Sequence, residues 1–202
     1  MSPSVFVTGF SMGLGLIVAI GAQNAFVLKQ GLRREHVFAV FLACALSDAV
    51  LIALGVTSLG TVTALLPWLE PAMRYGGAAF LLWYGARSLH SALTGHGALD
   101  VAGGGGASLR ATLVTCLALT WLNPHVWLDT VVLLGSVSTQ FPGERTAFAL
   151  GAATASFAFF LTLAYGARFL APVFARPGAW RVLEGAIAAV MWAIAGRLAL
   201  GM

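Results

Sequence analysis

Charge is the scarcest commodity in this chain. Asp, Glu, Lys and Arg make up 9% of its 202 residues, against about a quarter in soluble domains. So few charged groups cannot coat a water-soluble globule. With a mean hydropathy of +0.91, the composition excludes an ordinary soluble enzyme and points to an integral membrane protein. Cysteine is nearly absent too. Cys44 and Cys116 both fall inside apolar runs, which predicts buried free thiols and argues against a disulfide framework. No Cys/His spacing suggests a metal centre, and no Ser-His-Asp arrangement is readable, so no catalytic residues are assigned. The first residues, MSPSVFVTGFSMG, carry no base. The apolar run that follows is longer than a signal-peptide core, which predicts a retained first span. The tetraglycine at 103–106 lacks the Gly-Lys-Ser/Thr of a phosphate loop. A net charge of +4 could suggest nucleic acid. Here the bases lie between apolar runs, which fits membrane orientation and no nucleic-acid partner.

What is present is apolar sequence in blocks. Six stretches, at about 5–28, 37–60, 72–93, 111–135, 146–171 and 182–201, predict an all-α membrane protein of about six spans in one transmembrane domain covering 1–202. Between the third and fourth lies TGHGALDVAGGGGASLR, which reads as a flexible linker over about 94–110. It separates a first half (about 1–93) from a second (about 111–202). The connections after spans one, three and five hold Lys29, Arg33, Arg34, Arg87, Arg110, Arg168, Arg176 and Arg181. The others, with the tail, hold Arg74, Arg145 and Arg197. This imbalance places the first group in the cytoplasm and both termini outside. Five spans with one re-entrant stretch would reverse one terminus. The halves share a weak pattern: GAQNAFVL is echoed by NPHVWL, and LSDAVLIALG by TASFAFFLTLA. Three spans per half would make the halves inverted repeats with broken helices near a midplane site; chance similarity is the alternative.

Polar groups inside these runs are the candidates for function. Asp48 sits mid-span, where a carboxylate costs roughly 2.5–3.5 kcal/mol on insertion scales. It reads either as a cation or proton site, or as a structural acid paired with a neighbour such as Ser47. In TWLNPHVWLD, Pro124 removes a helix hydrogen bond and frees backbone carbonyls, and Asn123 can stabilise the broken end. Trp121, His125 and Asp129 fall at i, i+4 and i+8, predicting one helix face on which a His–Asp pair can hold or pass a proton. The bland reading places His125 and Asp129 near an outer boundary. In the first half, Gly21 is expected to loosen the helix so that Gln23 and Asn24 point into a cavity; interhelical hydrogen bonding is the alternative. The Gly9–Gly13 pair, and Gly76, Gly77 and Gly85, predict close helix packing, with a homodimer as the sharper reading. Trp68, Trp83, Tyr84, Trp180 and Trp192 are placed near span ends as interfacial anchors.

Taken together, GAQNAFVLKQGLRREH, CALSDAVLIALG, GGAAFLLWYGA and LTWLNPHVWLDTVVLLGS resemble the lysine exporter (LysE) family, most closely its basic-amino-acid branch, over nearly the whole chain. The resemblance implies a multi-pass carrier of the bacterial inner membrane that exports L-arginine or L-lysine, driven by the proton gradient or membrane potential, with no cofactor. The family's polar positions carry over onto Gln23, Asn24, Ser47, Asp48, Asn123, Pro124 and Asp129. The family's first motif usually has Pro where this chain has Ala22. The residues supply a reason for such a cargo. A site for it must neutralise positive charge, with Asp48 for the cationic group and Asp129 as second carboxylate or proton carrier. Asn24 and Asn123, near helix ends, would take the α-amino and α-carboxylate groups.

Two rivals remain at this level. The same fold could export neutral amino acids such as threonine or homoserine, or metal cations. A membrane thiol–disulfide relay would use Cys44 and Cys116, but these sit in non-matching spans and outside any CxxC setting.

Overall fold

The computed structural model describes residues 2–18, 21–65, 69–94, 107–174 and 177–200, and among these every regular element is helical. In chain order they are α1 (Pro3–Ile17), α2 (Ala22–Arg33), α3 (Val37–Leu65), α4 (Leu69–Thr94), α5 (Leu109–Trp121), α6 (Pro124–Ser138), α7 (Arg145–Gly166), α8 (Ala171–Phe174) and α9 (Pro177–Leu200). Most of the expected linker, 95–106, and Trp68 lie outside the described residues.

Among the described residues, three unbroken helical segments are long and apolar enough to cross a membrane: Val37–Ser58, Arg145–Phe169 and Gly178–Arg197. The first and fourth apolar runs do not form straight spans. Each is a bent pair, α1 with α2 at 82° and α5 with α6 at 60°, and counting each pair as one span brings the total to five. The run expected at 72–93 does form a long helix, α4. Among the described residues it does not reach the apolarity of a span, as its Glu70, Arg74 and Arg87 suggest. By length and apolarity, the described residues thus hold three unbroken spans and two bent pairs, beside the long helix α4.

Packing explains where the small residues went. A Cβ at Gly13 would lie 3.0 Å from the Cα of Ala152, and one at Gly9 would collide with the carbonyl of Phe148. Only glycine lets the α1 and α7 backbones approach this closely. Gly55 of α3 and Gly135 of α6 meet backbone to backbone in the same way. The Gly9–Gly13 face is thus spent inside the chain, and Gly77 and Gly85 also meet neighbouring helices, at Leu122 and Trp192. Large apolar side chains such as Phe38, Val114, Phe169 and Val182 point outward, as lipid contact requires.

The aromatic anchors divide. Trp83 and Trp192 are exposed, whereas Tyr84 and Trp180 are buried in the main core with Phe26, Leu81 and Met191. Several bases assigned to connections lie within helices: Lys29 and Arg33 in α2, Arg87 in α4, Arg197 in α9. Lys29 is only 13% exposed, and its Nζ stands 2.5 Å from Oε1 of the fully buried Glu184 in α9. Apolar periodicity could not reveal this pair, because its partners are 155 positions apart and each looks like the edge of a span.

Candidate functional site

The site grows from the two helix breaks. α1 stops at Ile17 and α2 starts at Ala22, with Gly21 as its N-cap in extended backbone. Ending α1 leaves carbonyls without intrahelical donors. The Asn24 side chain supplies one, Nδ2 donating to the Ile17 oxygen at 2.7 Å. Ala22 occupies the first helical position, where proline is also at home. The break therefore forms without the proline that the sequence lacks there.

The second break is built by different residues to the same end. Asn123 caps α6, its Oδ1 accepting from the His125 backbone N–H at 3.1 Å, with Pro124 in the first turn. Trp127 Nε1 donates to the freed Trp121 carbonyl at 3.1 Å. The Trp121 indole in turn donates to Ser47 Oγ at 3.1 Å, tying the break to α3. From Leu128 to Leu133 the helix widens to π geometry, a distortion often found at functional positions. Asp129 lies in that widened turn. The break after Trp121 corrects the expectation of one continuous face: Trp121 belongs to α5, and only His125 and Asp129 share α6.

Both breaks open onto one cavity of about 250 Å³, room for a single small molecule. Gly21, Gln23 and Asn24 border it from α2, Asp48 from α3, and Asn123, His125 and Asp129 from α6. Ser47 and Pro124 are not on its wall; they brace the second break. Asn24 does border the cavity, but its amide nitrogen is committed to the backbone.

Asp48 is 2% exposed. Its Oδ2 accepts from Ser156 Oγ of α7 at 2.8 Å, while Oδ1 has no hydrogen-bond partner among the described residues. The buried Gln23 likewise leaves Nε2 without one. A half-satisfied carboxylate and a half-satisfied amide beside one cavity are costly in an empty protein, and both are well suited to meet a polar ligand.

Sequence reasoning missed three wall or support residues. Ser156 lies in TASFAFF, the segment likened to the one around Asp48, and its hydroxyl joins the two segments. Phe160, four residues on, lines the cavity from the same helix. Arg197 reads in the sequence as a base of the tail, yet it borders the cavity. Cys44 and Cys116 are free and buried, with Sγ atoms 3.3 Å apart. The structure brings them together, but in the core and off the cavity wall. Among the described residues no three His, Cys, Asp or Glu side chains are grouped as a metal site.

Comparison with known proteins finds relatives along nearly the whole chain. The arginine exporter protein ArgO of Yersinia enterocolitica is 43% identical over 97% of this chain and 96% of the relative. That of Pectobacterium carotovorum is 44% identical over 97% of both. That of Salmonella typhimurium is 42% identical over 97% of this chain and 93% of the relative. No solved structure matches the chain. The family model for LysE type translocators matches residues 14–202. By the extent of that match and the identity to its relatives, this chain belongs to the LysE family: it is a multi-pass membrane transporter, and not an enzyme.

Proposed function

We propose that this protein exports basic amino acids, L-arginine or L-lysine, across the bacterial inner membrane. The observation that carries the reading is the cavity shared by both helix breaks, where buried Asp48 presents an unpartnered oxygen. A buried carboxylate with no counter-ion is stabilised by an incoming cation. Asp48 takes the cationic side chain, and Gln23 donates to the substrate or to Asp48 as the cavity fills. Asp129, with His125 on the same helix, is the second carboxylate and the proton carrier. If substrate and proton compete for these acids, exchange follows without further machinery. Asn24 and Asn123 hold the breaks, and the first turns of α2 and α6, which both border the cavity, favour an anionic group through their unsatisfied N–H groups. The identity to arginine exporters supports arginine as cargo. Two inverted repeats, about 1–93 and 111–202, fit the recurring order of a bent pair followed by a long unbroken span.

The test is release of labelled arginine from proteoliposomes, with and without an imposed proton gradient, and with lysine or threonine outside. Gradient-stimulated release, accelerated by lysine and not by threonine, is expected. No release from folded protein would move the cargo to neutral amino acids or metal cations.

A further inference from the structure

The cavity wall carries charges of both signs. Asp48 and Asp129 supply two carboxylates, from α3 and α6. Opposite in sign stands Arg197, three residues before the end of α9, which borders the same cavity. A guanidinium stays protonated at any physiological pH. Arg197 forms no ion pair among the described residues, so neither aspartate neutralises it. A cation on a membrane helix that is not paired within the protein is expensive against lipid and belongs beside water or a ligand.

Arginine and lysine each carry two cations and one carboxylate. With the His125 imidazole neutral, the wall carries the complement: two carboxylates and one cation. A neutral amino acid would leave one aspartate unmatched. A diamine would match both aspartates and meet Arg197 with charge of its own sign. We propose that Arg197 is the residue that receives the substrate's α-carboxylate, and that it thereby makes the carrier select basic amino acids over amines of the same length and side chain. The planar guanidinium suits this role, since it can grip a carboxylate with two parallel hydrogen bonds. The inference rests on the basic-amino-acid reading above, and it adds the group that reads the amino-acid end of the cargo.

The test compares arginine with agmatine, which is arginine without its carboxylate, by equilibrium binding to the purified full-length protein in lipid nanodiscs. The wild type is expected to bind arginine more tightly than agmatine. In Arg197→Ala, arginine affinity should fall by about 10- to 100-fold, the range for a lost hydrogen bond to a charged group. Agmatine affinity should stay level or rise. Arg197→Lys, which keeps the charge and loses the fork, should fall between. Arg197→Ala binding arginine as the wild type does would overturn the assignment. So would an equal loss for both ligands in protein with unchanged thermal unfolding, since that loss would not be read through the carboxylate. A wild type that binds neither arginine nor lysine would overturn the basic-amino-acid reading itself, and the role of Arg197 with it.

Discussion

Two carboxylates are buried among the described residues, and they are treated in opposite ways. Glu184 is fully buried in α9, with Lys29 of α2 at 2.5 Å and Ser91 Oγ of α4 at 3.5 Å from the same oxygen. Asp48 is nearly as deeply buried in α3, but it is held by the neutral hydroxyl of Ser156 and forms no ion pair among the described residues. Each leaves its other oxygen unbonded among the described residues. The difference lies in the counter-ion and the surroundings. Glu184 has a cation within the chain and lies away from the cavity. Asp48 has a cavity where a cation would be. A buried acid that holds helices together brings its partner with it. A buried acid that handles cargo must leave that place open, because a permanent internal partner would compete with the substrate.

The comparison can be broken at either end. The largest effect is expected at the closed pair. Lys29→Met leaves Glu184 buried without its cation and should cost about 3–5 kcal/mol of stability, as for a broken buried pair. Adding Glu184→Leu should recover most of that loss. Thermal unfolding in detergent reads both; a stable single variant would mean that the pair holds nothing.

The next effect belongs to the open acid and has the reverse signature. Asp48→Asn should abolish arginine transport, by about 100-fold or more, while stability stays within about 1 kcal/mol of the wild type, since an amide is easier to bury than an unpaired carboxylate. Full transport by folded Asp48→Asn protein would remove Asp48 from the site.

Ser156→Ala sharpens the same contrast with a smaller change. It deletes the hydroxyl that orients Asp48 and should weaken arginine binding by about tenfold, the scale of one hydrogen bond to a charged group. Agmatine should weaken equally, because the loss falls on the cation-binding acid. A selective loss of arginine alone would place Ser156 at the carboxylate end of the substrate instead.

The two helix breaks show how unevenly such features can be read from sequence. The second announces itself: proline cannot continue a helix, and an asparagine before it is a ready cap. The first has no proline. It depends on Asn24 reaching back seven residues to the Ile17 carbonyl, a contact that exists only once the chain has turned by 82°. Lys29 gave the opposite lesson, since as a base at the end of an apolar run it reads as a cytoplasmic marker, and its burial against Glu184 has no local signature.

Composition and the spacing of apolar runs determined that this chain enters a membrane as helices, and that Gln23, Asn24, Asp48, Asn123 and Asp129 would be its costly polar positions. Those are properties of short segments and of transfer from water, so the sequence carries them directly. Tertiary packing alone decided that the two breaks share one cavity, that Ser156 supports Asp48 from 108 residues away, that Arg197 faces the cavity, and that two cysteines meet in the core. Each depends on which helix faces meet, and that is set by backbone approach at Gly9, Gly13, Gly55 and Gly135, where the periodicity of any one helix is silent.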